Sequence, residues 1–564
     1  MLNELEATPV PAIRSQLVRF SDARSLQIVA YLDEGPEDDW NERVVVLAPR
    51  YGETKKNNLQ LAYTLAANGF KVLRFDQTNH IGESDGEMHL FTLSGVAADI
   101  ITAVEYVENF CEPREIILVS LSLSCRCALR AAMQSGRISR IVNVVGMVDM
   151  DATLRSIYRR DFFGELSDGA DWRIVDILGF EIDGKHFHDD LLTHDLKGLQ
   201  GTIKDAAKIE IPVLHLFAEN DRWVRREDVE RVIAACREAE LVKVSDVGHE
   251  INENQKAVAF AFSKIVDYCL KGLRVPEAGP IIPDKRALVR QNKIERERLR
   301  KILKLTDSES EFWGDYLGKF GIIEEAHYYA EYFQSVASSL GAMQPHDVIL
   351  DAGCGNGFYG VSVLKSLQSQ ALSKGLEQGP FHYCGIDLTA DGLSRAYLRQ
   401  SEELVSEEIA SLSRLLNVAY TYRRIDFDTL DKEDAKLPFA DASISKICCS
   451  LVLSYLKTPF NLVKEFHRIL KPGGVVVVSS MKPGCDMTVL FHEYLDKDLP
   501  DEDRGNDANR LLSAAGKIKL KRDSGVYQFF NEEELLELGV KAGFEQLSVS
   551  RSLGDQANVI RLAK

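Results

Sequence analysis

The chain has 564 residues and a formal net charge of −18, with 45% hydrophobic and 27% charged residues. This length predicts about three to four domains, and the composition is that of ordinary globular proteins. The negative charge argues against broad contact with nucleic acid or anionic membranes, because such contact needs a basic face.

The amino terminus and the cysteines predict a reduced, cytoplasmic protein. Residues 1–14 carry no basic-then-apolar signal, and no window reaches the ~18 apolar residues of a membrane span. Ten cysteines are scattered without framework spacing. Cys125-x-Cys127 and Cys448-Cys449 lie in apolar sequence, which favours buried thiols over a metal site.

Strands and helices alternate through the first 272 residues. Apolar runs predict buried strands at 44–49, 71–76, 115–119, 141–145 and 212–217, and helical spacing lies between several of them. Such alternation predicts a mostly parallel sheet with helices on both faces. We therefore predict an α/β domain over residues 1–272.

A nucleophile elbow is predicted where the strand at 115–119 runs into Ser120-Leu121-Ser122-Leu123-Ser124. An elbow needs small residues two before and two after the nucleophile, because the turn is tight. Serines stand where glycines are usual, so the alternative is a serine-rich helix cap. Asp221 after a strand and His249 before the last helix favour the elbow, since the order Ser, Asp, His is that of α/β-hydrolases.

This half resembles the acyltransferases of bacterial luminescence, which cleave myristoyl thioesters of acyl carrier protein. The resemblance covers most of residues 15–270, and that family also lacks the elbow glycines. The segments that carry it are Arg74-Phe75-Asp76 through Glu87, Phe91-Thr92, Ser122-Leu123-Ser124-x-Arg126, Ala218-x-Asn220-Asp221-x-Trp223-Val224, and His249 with Glu253-Asn254.

The resemblance implies an acyl substrate, possibly delivered by acyl carrier protein. It implies Ser122 as nucleophile, Asp221 as acid and His249 as base. The oxyanion hole would be the backbone N–H of Leu123 with one from the Arg50-Tyr51 turn. A decayed hydrolase domain with a structural role is the alternative.

Other residues of this half have competing interpretations. Asp246 is a rival for the triad acid, although it does not follow the expected strand. Asp76 and His80 lie near the edge of the sheet, where a role in loop architecture is favoured. His186 and His188 could suggest a metal, but a solvated loop of a cap at about 150–205 is favoured.

A Rossmann-type cradle is predicted in the second half. Val348-Ile349-Leu350-Asp351 runs into glycines at 353, 355 and 357, and helical spacing follows. A second strand ends at Asp387. Further strands are predicted at 420–427 and 445–451, and Lys471-Pro472-Gly473-Gly474 forms a turn before another strand.

These pieces resemble the class I methyltransferases that use S-adenosylmethionine. The resemblance implies that Asp351 and the turn of Gly353, Gly355 and Gly357 approach the methionine part of the cofactor. Asp387, with Leu388, would hold the ribose, although Asp387 could instead cap a helix. The remaining implied contacts are Asp426 and Phe427 on the adenine, with Asp434 as the rival acid, and Ser450 on the methionine.

Residues 273–340 are predicted to link the two halves. Residues 284–305 are dense in charge and predict an exposed bridging helix. Residues 309–340 are rich in aromatics, and by the methyltransferase resemblance they would form a helical lid. Packing of these helices against the sheet explains the pattern equally well.

The sequence therefore predicts two fused α/β domains: an α/β-hydrolase domain with a cap at 1–272 and a Rossmann-like methyltransferase domain at 341–564. The predicted function is cleavage or transfer of an acyl thioester plus methylation of a small molecule. The alternative is a methyltransferase whose first half only docks a carrier-bound substrate. Residues 496–524 are a polar insertion that either carries acceptor specificity or is mobile.

Overall fold

Two units make up the chain in the computed structural model. The first comprises residues Met1–Ile302 with Ala515–Gly525, and the second comprises Leu303–Ala514 with Val526–Lys564. The structure describes residues 12–167, 174–273, 280–283, 285–302, 309–318, 327–344, 346–363, 365, 369, 378–405, 416–432, 434–486, 502–523 and 525–564.

An eight-stranded sheet forms the centre of the first unit, in the order β1-β2-β4-β3-β5-β6-β9-β10. Its strands are β1 (Arg14–Ser21), β2 (Gln27–Glu34), β3 (Arg43–Ala48), β4 (Lys71–Phe75), β5 (Glu115–Leu121), β6 (Ile138–Val144), β9 (Val213–Ala218) and β10 (Ala239–Val244). A separate hairpin joins β7 (Val175–Ile177) to β8 (Phe180–Ile182).

The pairing of these strands is mixed. β2 is antiparallel to both β1 and β4, whereas the strands from β4 to β10 pair in parallel. Parallel strands end at one edge of a sheet, so the loops that follow β3, β5 and β9 lie on the same side. The mixed α/β fold predicted for this half is confirmed.

Helices of the first unit cover the sheet and form the cap. They are α1 (Leu59–Ala67), α2 (Leu93–Cys111), α3 (Leu123–Gln134), α4 (Met150–Tyr158), α5 (Phe162–Ser167), α6 (Gly184–Thr193), α7 (Leu199–Ala206), α8 (Arg226–Ala235), α9 (Gln255–Leu270) and α10 (Lys285–Ile302). All six residues of β3 and of β9 are buried, because apolar strands between helical layers face the core on both sides.

Helix α10 corrects the prediction of an exposed bridging helix. Glu295 is 1% exposed, and its carboxylate lies 3.2 Å from Arg74 of β4. Arg298 donates two hydrogen bonds to Glu83. The charged residues of this helix therefore include partners for buried charges of the first unit, and α10 packs against that unit as part of it.

A seven-stranded sheet forms the centre of the second unit, in the order β13-β12-β11-β14-β15-β17-β16. The last strand, β17, is antiparallel to β15 and β16, and the others pair in parallel. The strands are β11 (Val348–Ala352), β12 (Gln378–Asp387), β13 (Leu416–Arg424), β14 (Ile444–Cys449), β15 (Leu470–Met481), β16 (Gln546–Ser552) and β17 (Ala557–Ala563).

The order of strands reverses at β11, which lies between β12 and β14. In parallel sheets a ligand crevice forms at such a reversal, beyond the carboxyl ends of the strands. Helices associated with this half of the chain are α11 (Glu309–Gly318), α12 (His327–Leu340), α13 (Ala390–Val405), α14 (Pro459–Ile469), α15 (Glu502–Asp523) and α16 (Glu532–Ala542).

The polar insertion at 496–524 is largely helical. Residues 502–523 form α15, and residues 515–525 belong to the first unit. Residues 487–501, which include the start of the predicted insertion, lie outside the described residues. Within the described helices there is none that is both long and apolar enough to span a membrane.

We expect Glu295→Ala to destabilise the first unit by about 2 kcal/mol, because Arg74 would lose one of two buried carboxylate partners and keep Asp33. Differential scanning calorimetry should show one transition moved to lower temperature. Lys293→Ala, an exposed change on the same helix, is the matched control and should leave both units unchanged. Equal behaviour of the two variants would contradict the inferred packing of α10.

Candidate functional site

Ser122 occupies a strained turn between a strand and a helix. β5 ends at Leu121, α3 begins at Leu123, and Ser122 between them has φ 50° and ψ −117°. A non-glycine residue rarely adopts this conformation, and it persists only where the surroundings hold it. Here the Ser122 N–H donates to Val144 (3.0 Å) and its carbonyl accepts from Met147 (3.0 Å). This is the backbone of a nucleophile elbow.

The serines that replace the elbow glycines are packed into the interior. Ser120 Oγ donates to Asn143 Oδ1 (2.8 Å). Ser124 Oγ donates to the carbonyl of Pro49 and accepts from Gln77 Nε2. Both side chains are fully buried, so their hydroxyls need these partners. Ser122 makes no side-chain capping bond to α3, which argues against the helix-cap interpretation.

Ser122, His249 and Asp221 form a continuous chain of hydrogen bonds. Ser122 Oγ lies 2.8 Å from His249 Nε2, and His249 Nδ1 lies 2.8 Å from Asp221 Oδ2. The other Asp221 oxygen accepts the backbone N–H groups of Trp223 (2.8 Å) and Val224 (3.1 Å). The carboxylate is thus held in place, and it in turn orients the imidazole.

The rival acid Asp246 takes no part in the hydrogen bonds that join Ser122, His249 and Asp221. It is exposed, and its backbone N–H donates to Glu219. His249 is 2% exposed and stacks on Trp223 with ring centroids 4.4 Å apart. The motif around Asp221 includes Trp223, but the packing of this indole against the imidazole depends on the fold and is not visible in the sequence.

His80 holds the Arg50-Tyr51 turn in place. The sequence analysis favoured a role for His80 in loop architecture. His80 Nε2 accepts the backbone N–H of Gly52 (3.1 Å). Burial lowers the pKa of His80 to about 4, so the ring is neutral near pH 7 and Nε2 can act as acceptor. Gly52 has φ 74°, and a Cβ there would lie 2.9 Å from the ring of Phe180 in the cap hairpin. His80 therefore fixes the turn that carries the predicted oxyanion donor.

His186 and His188 of the cap lie on helix α6, so the prediction that they belong to a loop is wrong. Asp183 caps α6 by accepting the N–H of His186, which makes the segment helical. His186 is exposed and His188 is half-buried. In the part of the chain that the structure describes, no group of His, Cys, Asp and Glu residues has the arrangement of a metal site.

The glycine turn after β11 in the second unit requires glycine for two reasons. Gly353, Gly355 and Gly357 have φ values of 79°, 51° and 85°. A Cβ would lie 2.2 Å from the Val452 side chain at Gly353 and 2.7 Å from the Ala396 backbone at Gly357. Both the conformation and the close approach exclude larger residues.

Asp387, at the end of β12, links this turn to the next helix. Its Oδ2 accepts the N–H of Gly355 (2.9 Å), and its Oδ1 accepts the backbone and hydroxyl of Thr389 (2.8 and 2.7 Å). A carboxylate has about four lone-pair sites, so these three bonds leave about one acceptor site for a further donor. Thr389 Oγ1 accepts the N–H of Gly392 (3.2 Å), so Thr389 caps α13 and Asp387 does not, which argues against the helix-cap alternative.

Asp351, at the end of β11, is fully enclosed. Tyr383 donates its hydroxyl to Asp351 Oδ2 (2.5 Å), and Oδ1 is buried without a hydrogen-bond partner among the described residues. Burial raises the pKa of Asp351 to about 7, and the nearby Asp387 charge adds to this rise. An unpaired buried oxygen at the strand edge fits a site that receives a polar or cationic group.

The residues predicted to contact adenine differ in burial: the two candidate acids are exposed and Phe427 is buried. Asp426 is exposed and accepts the N–H of Asp428 (3.0 Å). Phe427 is 7% exposed and belongs to the hydrophobic core. The rival Asp434 is exposed at φ 63°. The choice between Asp426 and Asp434 stays a prediction.

Ser450 and Leu388 follow β14 and β12. Ser450 Oγ lies 2.6 Å from the hydroxyl of Tyr332 on α12, and this hydroxyl is also 2.6 Å from Ser479 Oγ. The Leu388 carbonyl accepts from Arg424 (2.9 Å). Both residues therefore lie at the strand edge that carries Asp351 and Asp387.

The aromatic helices before β11 contact different parts of the second unit: α11 contacts the glycine turn, and α12 packs against the sheet. On α11, Leu317 lies 3.2 Å from the Cβ position of Gly355, and Trp313 contacts Tyr455 with centroids 4.4 Å apart. This helix packs against the glycine turn, and a lid role for it stays a prediction. Helix α12 packs against the sheet through Tyr332. Residues 319–326 of the predicted lid lie outside the described residues.

Two family models match separate parts of the chain. Residues 15–266 match the family model described as acyl transferase, and residues 325–549 match a family model described as methyltransferase domain. The predicted resemblances and the prediction that the chain is an enzyme are confirmed, because both are enzyme families.

Curated relatives match the first half. An acyl transferase of Photobacterium leiognathi is 26% identical over 253 residues, which are 44% of this chain and 81% of the relative. One of Photorhabdus luminescens is 26% identical over 219 residues, 38% of this chain and 69% of the relative. A solved structure titled "Ferulic Acid bound to Est1E from Butyrivibrio proteoclasticus" is 17% identical with a TM-score of 0.39, covering 45% of this chain and 98% of that one.

We expect Asp351→Asn to stabilise the second unit at pH 8 relative to wild type, and less so at pH 5. The raised pKa means that the folded state favours the protonated carboxyl, so wild-type stability is full below about pH 4 and is lost as pH rises to about 7. Asparagine removes this loss, which is on the order of a few kcal/mol. Melting temperatures of both proteins across this range test the expectation, and a constant difference between them would contradict it.

Proposed function

We propose that this chain is a bifunctional enzyme that cleaves or transfers an acyl group from a thioester through Ser122 and methylates a small molecule with S-adenosylmethionine. The observation that carries the first activity is the hydrogen-bonded chain from Ser122 through His249 to Asp221, set on a strained elbow. The second activity is supported by the family match of residues 325–549 and by the glycine turn beside Asp387.

In the proposed acyl step, Ser122 Oγ attacks the thioester carbonyl while His249 Nε2 takes the hydroxyl proton. The C–S bond then breaks, His249 returns the proton to the departing thiolate, and an acyl ester remains on Ser122. Water or an acceptor hydroxyl next attacks this ester with His249 as base, and Ser122 regains its proton. Asp221 keeps Nδ1–H of the imidazole directed away from Ser122 and stabilises its protonated form.

The proposed oxyanion donors are the backbone N–H groups of Leu123 and of the Arg50-Tyr51 turn. Leu123 is the first residue of α3, and an N–H in the first helical turn has no partner within the helix. Such donors stabilise the negative charge that develops on the carbonyl oxygen. The bond from Gly52 to His80 supports this role, because it holds the second donor in place.

The residues proposed to hold S-adenosylmethionine lie at one edge of the second sheet. Gly353, Gly355 and Gly357 allow backbone to approach the ligand, and the acceptor site left on Asp387 suits a ribose hydroxyl. The buried oxygen of Asp351 fits a nearby polar or cationic group. When bound, S-adenosylmethionine supplies an electrophilic methyl group, so the protein's main task is to align the acceptor with it.

The substrate class follows from the first half. Its relatives are named acyl transferases, which supports an acyl substrate for this chain. Delivery by acyl carrier protein is part of the proposal. Fusion of the two domains supports the proposal that the acyl product or a conjugate of it is the methyl acceptor.

We expect Ser122→Ala to lose acyl cleavage by a factor on the order of 10³ or more while S-adenosylmethionine still binds. Asp387→Ala should weaken cofactor binding by about 10–100-fold, since it removes charge-assisted hydrogen bonds, and should leave acyl cleavage intact. Mass spectrometry of products from acyl thioesters and isotope-labelled S-adenosylmethionine, with calorimetric binding, measures both effects.

A fluorophosphonate probe separates this proposal from a non-catalytic docking domain. The active serine should be labelled in wild type and not in Ser122→Ala. A folded wild-type protein that takes no label and cleaves no thioester would favour docking. Transfer of the labelled methyl to a purified carrier protein, and to no small product, would instead indicate protein methylation.

A further inference from the structure

Residues 515–523 lie in the sequence between β15 and α16 but pack within the first unit. Ile518, Lys521 and Asp523 are 8%, 5% and 4% exposed, whereas Lys517 is exposed. Charged residues are seldom buried without a partner. This part of α15 is therefore a packed element of the first unit, although the sequence alone indicates a solvated insertion.

The backbone of α15 at Gly516 packs directly against the backbone of the cap hairpin, with no side chain between them. A Cβ on Gly516 would lie 2.0 Å from the carbonyl oxygen of Leu178 and 2.8 Å from Gly179 Cα. Leu178 and Gly179 form the turn between β7 and β8. Glycine is needed at 516 because any side chain would push the helix away from this turn.

The end of the helix contacts the segment that follows the Arg50-Tyr51 turn. Lys56 Nζ donates to the carbonyls of Arg522 (3.4 Å) and Asp523 (3.1 Å). The last carbonyls of a helix lack partners within it and carry partial negative charge, so a lysine there is stabilising. The helix is thus anchored next to the predicted oxyanion turn.

Lys519 extends an ion-pair chain that joins both catalytic loops. Its Nζ lies 3.6 Å from Glu250 Oε1, and Glu250 Oε2 lies 2.7 Å from Arg50 Nη1. Arg50 also pairs with Glu53 (3.2 Å). Burial alone would raise the pKa of Glu250, but the charges of Arg50 and Lys519 lower it to about 2, so the carboxylate is ionised.

We propose that Lys519 is a positioning residue of the acyl-transfer site, acting through Glu250 and Arg50 on the loops that carry His249 and the oxyanion donor. Glu250 follows His249 directly, and Arg50 belongs to the oxyanion turn, so their ion pair fixes the distance between base and donor. Lys519 neutralises the second oxygen of Glu250. The inference rests on the proposed Ser122 chemistry.

The electrostatic consequence concerns the transition state. Negative charge develops on the substrate oxygen beside Arg50, and preorganised positive charge stabilises it. Without Lys519 the enclosed cluster loses one positive charge, and Glu250 keeps its negative charge within a medium that screens poorly. The turnover rate should fall, while binding of a small ester should change little.

The test compares three full-length variants on a short p-nitrophenyl ester. Lys519→Met should lower kcat about fivefold with KM nearly unchanged, as expected for a partly buried ion pair. Lys519→Arg should restore most of the activity, since it keeps the charge. Lys517→Met, an exposed change on the same helix, should behave as wild type, and S-adenosylmethionine binding should be equal in all three.

Hydrogen–deuterium exchange gives a readout that does not depend on catalysis. Amides of residues 50–56 and 249–251 should exchange faster in Lys519→Met than in Lys517→Met. If the Lys519→Met exchange and kcat both equal wild type, the positioning role is wrong. If exchange is faster in Lys519→Met but even the wild type shows no Ser122-dependent hydrolysis, the proposed acyl activity is wrong. The ion-pair chain from Lys519 to Arg50 would still be supported.

Discussion

Both predicted sites depend on the same backbone constraint, a turn at positive φ where a buried parallel strand passes into a helix. In the first unit this residue is Ser122, the proposed nucleophile, and the surrounding hydrogen bonds hold a conformation that serine rarely adopts. In the second unit the turn has no side-chain chemistry to provide, and glycines occupy it. The difference between serine and glycine thus follows from what each turn has to present.

Around these turns, enclosed charges fix the loops relative to the strands. Asp221 is held by two backbone N–H groups before it meets His249, and Asp387 holds the N–H of Gly355. Each carboxylate, at or just past the end of a strand, binds backbone N–H groups, and Asp221 binds the His249 imidazole as well. This double use restricts the motion of the site, because a change in the loop would also break bonds within the fold.

The sequence predicted the two sheets and the residues of the triad because strand ends, chain order and glycine spacing are local signals. Ser122, Asp221 and His249 could be placed from their neighbours alone. The buried role of Glu295 and the contact of Lys519 with Glu250 could not, since both join residues more than 200 positions apart and their segments look like solvated charged helices. Asp426 and Asp434 stay undecided for a different reason: both are exposed loop acids, and no packing distinguishes them.

Helix α10 has a consequence for how such a gene could have arisen or could exchange parts. Its Glu295 completes the charge balance around Arg74, so recombination that joined a new partner at residue 272 would leave a guanidinium enclosed in the sheet with one counter-ion fewer. A viable exchange would have to carry residues 285–302 along with the first half. The natural crossover point in this architecture therefore lies beyond that helix, well past the last strand of the sheet it covers.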